Sequence, residues 1–307
     1  MTDTSTLHRS LELAGTLPAL MVAADRVAAT VIQGVHGRRR VGQGDAFWQY
    51  RPYRDGDSAG QIDWRQSARS RHLFVRETEW EAAASVWLWR DASPSMQYAS
   101  LRGLDTKAVR AELIVLALAS LLSDASERIA VLGSGMRPIT GRVAVRRIAE
   151  QLFDETREET REETRTSPSL PPPSLPPLVP LPAHGTVVLV SDWLDPLEKI
   201  EQVVRHYASA GVRGHVVQVL DPAEEDLPFD GHVKFEGLEA EGQHTIRRVE
   251  AVRIAYGARL AAQREGLQRL ARPADWTVHL HRTDKPPQTI LLALYLAMAD
   301  LRRLTAA

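Results

Sequence analysis

Residues 82–96, with the sequence AAASVWLWRDASPSM, form an uninterrupted apolar run that ends in an acidic, hydroxyl-rich turn. A short, continuous apolar run is typical of a strand that is buried on both faces of a parallel sheet. Residues 187–192, VVLVSD, repeat the pattern of an apolar strand that ends in an aspartate. The two stretches together predict a parallel sheet with acidic side chains at one edge.

Outward from these stretches, strand-like and helix-like patterns alternate. This alternation predicts an α/β fold with a doubly wound, mostly parallel sheet. The predicted strands are residues 82–89, 129–132, 187–190, 215–220 and 276–280, with a possible edge strand at 232–235. The predicted helices are residues 107–122, which Asp105 could cap, 143–153, 197–208, 251–270 and 288–304.

The chain before this sheet divides into two further segments. Residues 1–37 carry apolar positions at helical spacing and predict an N-terminal helical segment. Residues 38–80 contain short aromatic and β-branched groups between Gly, Asp and Pro, which predicts irregular structure with short strands. The α/β domain is then expected to span residues 81–307.

A low-complexity insert interrupts the alternation at residues 154–183. Its first half, TREETREETR, can extend the preceding helix, because Arg and Glu at this spacing favour a helix modestly. Its second half, SPSLPPPSLPPLVPLP, predicts extended chain. We interpret the insert as a solvated linker, and the alternative is a docking site for a proline-recognising partner.

The composition excludes several functional classes. The 307 residues carry a net charge of −1, with 38 Lys+Arg against 39 Asp+Glu, so no overall basic excess is present to hold a nucleic acid. The absence of cysteine excludes disulfides, thiolate metal sites and a cysteine nucleophile. We find neither a signal peptide nor a membrane span, and we expect a cytoplasmic protein.

The turn after the first strand contains the best candidate site. Asp91, Ser93 and Ser95 follow that strand, and Asp192 follows the strand at 187–190. Carboxylates and hydroxyls at the carboxyl edge of a parallel sheet suit Mg²⁺ or Mn²⁺, and Thr140 is a weaker fifth candidate ligand. Alternatively, these residues are ordinary turn and N-cap residues without a ligand.

The same residues resemble a known site. D-x-S-x-S-M after a buried strand, with a later strand ending in Asp, is similar to the metal-ion-dependent adhesion site of von Willebrand factor A domains. Upstream, R-P-Y-R-D-G-D at 51–57, I-D-W at 62–64 and L-F-V-R-E at 73–77 resemble the signature of the bacterial domain-of-unknown-function 58 family. This resemblance implies a von Willebrand factor A-like protein that works with a MoxR-type AAA+ ATPase.

The signature segment is also rich in arginine. Arg65, Arg69, Arg71 and Arg76 could form a basic face for an acidic partner or a phosphate. The interpretation that we favour is an ion-pair network that fixes the segment in place, because both signs of charge are present. Its members would be Arg51, Arg54, Asp57, Asp63, Arg65 and Arg69.

The sequence therefore predicts a non-enzymatic interaction module. It would act as an adaptor with a MoxR-type ATPase or that ATPase's client, through a divalent ion whose open position accepts an acidic partner side chain. The alternative is a metal-dependent phosphoester hydrolase. The chain lacks the usual serine-hydrolase, P-loop and zinc-protease motifs, and nucleic-acid binding ranks last.

Overall fold

The chain divides into two units. A computed structural model describes residues 21–32, 47–53, 62–69, 72–78, 85–162, 172–238 and 242–305. The first unit, here the α/β unit, comprises residues 1–34 and 84–307, and the second, here the signature unit, comprises residues 35–83. Residues 21–32 are helical and are named α1. The N-terminal helix is thus part of the α/β unit.

In the signature unit, two antiparallel strands flank one short helix. The strands β1 (Phe47–Pro52) and β2 (Phe74–Thr78) pair with each other, and α2 (Trp64–Ser67) lies between them in sequence. Ser67 is buried, and its Oγ accepts a hydrogen bond from the backbone N–H of Phe74 at 2.9 Å. The predicted turn at residues 55–57 lies outside the described residues.

The α/β unit is built on one parallel sheet. The strands of this unit are β3 (Ser85–Arg90), β4 (Arg128–Val131), β5 (Thr186–Ser191), β6 (Arg213–Leu220), β7 (Val233–Glu236), β8 (Gln243–Ile246) and β9 (Thr277–Arg282). Five of them form the sheet in the order β4-β3-β5-β6-β9, and every neighbouring pair is parallel. The strands β7 and β8 form a separate antiparallel ribbon, so the strand expected near residues 232–235 is not an edge of the main sheet.

Helices cover both faces of the sheet, as the prediction of an α/β fold requires. They are α3 (Lys107–Asp124), α4 (Arg142–Glu162), α5 (Leu197–Ser209), α6 (Pro222–Asp226), α7 (Val249–Ala271) and α8 (Pro287–Thr305). The helix α3 contacts α4 and α8, whereas α5 contacts α7. Asp25 of α1 accepts a hydrogen bond from Ser120 of α3 at 2.8 Å. The sheet therefore lies in the middle of a three-layered unit.

The described part of the proline-rich half of the insert, residues 172–183, packs on the sheet, which corrects its interpretation as a solvated linker. Leu175, Val179 and Leu181 contact the buried cluster that contains Trp87. Tyr207 of α5 donates a hydrogen bond to the carbonyl of Pro177. A segment without hydrogen-bonding periodicity thus covers apolar sheet surface that would otherwise face water.

The N-cap residue of α3 is not the one that the sequence predicted. Thr106, rather than Asp105, is the N-cap residue, and its Oγ1 accepts a hydrogen bond from the backbone N–H of Val109 at 3.3 Å. Asp105 instead forms an ion pair with Arg110 at 3.2 Å. Lys107 is therefore the first residue of the helix.

None of the helices in the described part of the chain is both long enough and apolar enough to cross a membrane.

Candidate functional site

The sheet changes direction between β3 and β5. From β3 the chain first adds β4 on one side and then returns to place β5 on the other side. Loops diverge at such a switch point and leave a crevice outside the carboxyl ends of the strands, where ligands of open α/β sheets bind. Asp91 directly follows β3 and Asp192 directly follows β5, so both lie at this crevice.

Asp91 is fully buried and fixes the two strand ends to each other. Its Oδ1 accepts a hydrogen bond from the backbone N–H of Ser93 at 2.7 Å, and its Oδ2 accepts one from the Ser191 hydroxyl at 2.7 Å. Burial raises the pKa of Asp91 to about 6, although these two hydrogen bonds oppose the shift. Both oxygens of this carboxyl group are therefore engaged within the protein.

Ser93, Ser95 and Asp192 form a chain of oxygen atoms next to Asp91. The hydroxyls of Ser93 and Ser95 are 3.0 Å apart, and the Ser95 hydroxyl donates to Asp192 Oδ2 at 3.0 Å. The structure thus brings together the four residues that the strand ends predicted. Ser93 and Asp192 are buried, whereas Ser95 is partly exposed.

Lys107 contributes a buried cation to this group. Its side chain is 0% exposed, and its Nζ donates to Asp192 Oδ2 at 2.9 Å and to Glu224 Oε1 at 2.6 Å. Burial alone would lower the pKa of Lys107, but Asp192 and Glu224 together raise it above its ordinary value. The ammonium group therefore stays protonated and neutralises charge at the switch point.

The third strand end, after β6, completes the cluster. Asp221 caps α6 through the backbone N–H of Ala223 at 2.8 Å, and Glu224 Oε2 accepts the backbone N–H of Asp221 at 2.9 Å. The other oxygen of Asp221, Oδ2, accepts the backbone N–H of Ser100 at 2.9 Å. This reciprocal capping box holds Glu224 in place to receive Lys107. We call Asp91, Ser93, Ser95, Lys107, Asp192 and Glu224 the switch-point cluster.

Thr140 does not lie with these residues. Its neighbour Ile139 pairs antiparallel with Ile129, near the start of β4. Thr140 is therefore at the amino end of that strand, whereas the cluster is at the carboxyl end of the sheet, and its side chain is exposed. This part of the predicted ligand set is wrong, because the chain turns back along β4 before it reaches Thr140.

The cluster has some features of a divalent-ion site. Adjacent ligands of an octahedral magnesium ion are about 3 Å apart when each bond is about 2.1 Å long. The oxygen atoms of Ser93, Ser95 and Asp192 match that separation. However, an ion bonded to Asp192 Oδ2 would lie within about 5 Å of the Lys107 ammonium.

Other observations also disfavour an ion. The two Asp91 oxygens already accept hydrogen bonds, and Thr140 is elsewhere. The residues present therefore do not fit the predicted Mg²⁺ or Mn²⁺, because Lys107 already supplies the positive charge beside Asp192.

A cavity of about 420 Å³ opens beside the cluster. The switch-point cluster contributes a polar floor, and the segment around β7 contributes an apolar and aromatic wall. No histidine of the described chain lines it. Cavities of this size and mixed lining are typical of binding sites. Its lining includes Ser95, Asp192, Glu224, Leu227, Phe229 and Phe235.

The arginines predicted to bind a partner belong to the signature unit. Arg65 and Arg69 are exposed, at α2 and just after it. Arg76 lies in β2, while Arg71 lies outside the described residues, as do Arg54 and Asp57 of the predicted ion-pair network. The basic face and the network therefore both remain predictions.

Sequence reasoning missed Lys107, Ser191 and Glu224. One signal was present for Lys107, because a lysine at the first position of an apolar helix opposes the helix dipole and needs a compensating anion. For Glu224, the sequence Asp-Pro-Ala-Glu at 221–224 after an apolar strand has the spacing of a capping box.

The comparisons with known proteins extend across most of the chain. A family described as "Protein of unknown function DUF58" matches residues 49–266. Uncharacterized proteins of Mycobacterium bovis and Mycobacterium tuberculosis are 24% identical to the chain over 281 residues, which is 89% of this chain and 86% of each relative. We found no solved structure that matches the chain.

Proposed function

Since the chain belongs to the DUF58 family of proteins of unknown function, we propose that it is a non-enzymatic, von Willebrand factor A-like interaction module. In this proposal the chain is a cytoplasmic adaptor for a MoxR-type AAA+ ATPase or for that ATPase's client. The partner class follows from the resemblance of the sequence motifs. The binding face is the carboxyl edge of the parallel sheet.

The topology supports the likeness to von Willebrand factor A domains. The D-x-S-x-S-M motif lies directly after β3, at the switch point of a doubly wound sheet. Ile139 also pairs antiparallel along the outer side of β4. An antiparallel addition at one edge of an otherwise parallel sheet is common among such folds.

The observation that carries the proposal is the pairing of Asp192 with Lys107 and Ser95 at the floor of an open cavity. A catalytic serine needs a general base to accept its proton. Here the hydroxyl of Ser95 donates to a carboxylate that a buried lysine already neutralises. The hydroxyl, the carboxylate and the ammonium group already bind one another, which favours recognition of a partner over catalysis.

The rim of the cavity offers the contact surface. Leu194 and Leu238 line the cavity and are 44% and 48% exposed. Apolar side chains that become buried in a protein interface help to exclude water from it. Because Lys107 supplies the positive charge, binding at this face requires no divalent ion.

The test is the affinity of the chain for the MoxR-type ATPase of its own organism, measured by biolayer interferometry. We expect Leu194→Asp and Leu238→Asp each to weaken binding at least tenfold, since each places a charge where an apolar group becomes buried. The matched control is Val143→Asp on α4, where Val143 is 62% exposed. We expect the control to bind as the wild type does, in magnesium and in EDTA alike.

Two results would contradict the proposal. One is a wild-type chain that does not bind the ATPase, or rim variants that bind it as tightly as the control. The other is turnover of generic phosphoesters that Asp192→Asn abolishes, because that outcome would favour the hydrolase.

A further inference from the structure

The loop that follows β5 contributes two different groups to the cavity. Residues 192–195, here the rim loop, leave the strand at the switch point, with Asp192 at the floor of the cavity and Leu194 at its rim. Asp192 pairs with Lys107 at 2.9 Å, whereas Leu194 is exposed. A single residue, Trp193, separates the two side chains. The backbone at Trp193 therefore decides where Leu194 lies relative to Asp192.

Trp193 has a backbone conformation that residues other than glycine rarely adopt. Its φ angle is 54°, in the left-handed region, where the Cβ atom crowds the following carbonyl oxygen. A tryptophan stays in this region only where surrounding contacts hold it there. The ring makes one such contact, since Trp193 is 1% exposed and its indole N–H donates to the carbonyl of Val217 at 3.0 Å. The peptide units on either side of Trp193 make the others.

The peptide unit before Trp193 is held at both of its polar atoms. The carbonyl of Asp192 accepts a hydrogen bond from Nε2 of Gln218 in β6 at 2.8 Å. The backbone N–H of Trp193 donates to the Ser191 hydroxyl at 3.1 Å. Gln218 is itself buried, and its Oε1 accepts a hydrogen bond from Arg264 of α7 at 3.0 Å. The backbone of Asp192 is therefore anchored independently of the residues that follow Trp193.

The peptide unit after Trp193 is held chiefly by one side chain of α7. Nε2 of Gln263 donates to the carbonyl of Trp193 at 2.9 Å and to the carbonyl of Asp195 at 2.8 Å. The two N–H groups of one side-chain amide can serve both carbonyls at once. At the other end of this peptide unit, the N–H of Leu194 donates to Asp192 Oδ1 at 3.3 Å, which is longer than usual. Gln263 thus makes the shorter of the two contacts that fix Leu194.

We propose that Gln263 is a positioning residue of the cavity rim, which holds the peptide unit after Trp193 and so keeps Leu194 beside the opening. Without the donors of Gln263, that peptide unit rotates and Leu194 leaves the rim. Asp192 stays paired with Lys107, because the peptide unit before it keeps both of its contacts. The inference rests on the proposed function only in that the rim is the binding face, since the conformation of the rim loop does not depend on what binds there.

The test removes the donors of Gln263 and keeps the size of its side chain. Methionine has a similar length and no side-chain N–H group, so Gln263→Met loses both hydrogen bonds. In the full chain, NMR follows the methyl resonances of Leu194 and the ammonium resonance of Lys107. We expect the Leu194 resonances to shift and the Lys107 resonance to keep its wild-type position. A general loss of stability would change both.

The matched control is Gln268→Met, which makes the same change at an exposed position of the same helix. We expect it to leave the Leu194 resonances at their wild-type positions. Gln263→Glu is a second variant of nearly unchanged shape, and it should reproduce the shift, because a carboxylate cannot donate to the two carbonyls. We expect Gln263→Met to bind the MoxR-type ATPase at least about threefold more weakly than Gln268→Met does, since a displaced rim leucine loses apolar contact.

Two NMR results would overturn the inference. One is a Leu194 shift that is no larger in Gln263→Met than in Gln268→Met, and the other is a Lys107 resonance that is lost together with the Leu194 shift. Where the wild type binds the ATPase, equal affinities of the two variants would overturn it as well. The NMR experiment contains no ATPase, so a wild-type chain that does not bind the ATPase contradicts the proposed function alone.

Discussion

At the residue scale, Asp91 is a buried carboxyl group whose charge the protein stabilises only in part. Burial raises its pKa from 3.8 to about 6, while Ser93 and Ser191 donate hydrogen bonds that lower it. A carboxyl group with a raised pKa stabilises the folded state most below pH 3.8 and loses that contribution as the pH rises through about 6. The shift corresponds to about 3 kcal/mol in total.

Asp91→Asn removes this titration and nearly keeps the shape of the side chain. We expect the free energy of unfolding of the wild type, relative to that of Asp91→Asn, to fall by about 2 kcal/mol between pH 4.5 and pH 7.5. Urea unfolding at the two pH values measures the difference. Asp124→Asn, at an exposed position at the end of α3, serves as the control. A difference that is the same at both pH values would contradict the raised pKa.

The sequence predicted the cluster residues that directly follow the ends of β3 and β5. Asp91 and Asp192 could be placed together because the carboxyl ends of parallel strands share one edge of a sheet. Lys107 could not be placed, because its partners Asp192 and Glu224 lie 85 and 117 residues away, and no local pattern encodes those distances. The argument against an ion could not be made from the sequence for the same reason, since the fold brings the Lys107 ammonium next to Asp192.

At the element scale, β6 depends on a glycine that allows a tryptophan to pack closely. A Cβ atom on Gly214 would lie 2.0 Å from the ring of Trp276, which is 5% exposed and donates to the carbonyl of Val212 at 3.1 Å. No such contact is possible without movement of the strand or the ring. The close packing of β6 against Trp276 therefore requires glycine.

A matched pair of glycine substitutions tests this packing. We expect Gly214→Ala to lower the free energy of unfolding by about 1–3 kcal/mol, the usual cost of overpacking a core. Gly257→Ala, in the exposed interior of α7 with no neighbouring atom within 4 Å, should raise it by about 0.5–1 kcal/mol. Thermal and urea unfolding measure both. Equal effects of the two substitutions would mean that Trp276 can move at little cost.

Sequence analysis predicted most clearly the strands and helices that contain long runs of apolar residues. The strands β3, β5 and β6 are buried along nearly their whole length, so their apolar runs are unambiguous. The ribbon has short strands, of which β7 is half exposed and β8 is mostly exposed, so its apolar pattern is weak. The proline-rich segment was misinterpreted because its composition suggests solvated chain, whereas Leu175, Val179 and Leu181 pack on the sheet.

At the scale of the whole molecule, the chain combines an α/β unit with a separate signature unit. The family match at residues 49–266 covers parts of both, so it is not confined to either unit. Alternating strands and helices sufficed to predict the α/β class, because a parallel sheet needs crossover helices. The strand order and the cavity depend on long-range packing, which no single segment of the sequence encodes.

Lys107 neutralises the carboxylates at the switch point, and we expect that no divalent ion is needed there. The most direct measurement is a calorimetric titration of Mg²⁺ and of Mn²⁺ into the wild-type protein and into Asp192→Asn. We expect no saturable binding below the millimolar range for either ion in either protein. Saturable binding at lower concentrations in the wild type that Asp192→Asn abolishes would show instead that an ion occupies the switch point.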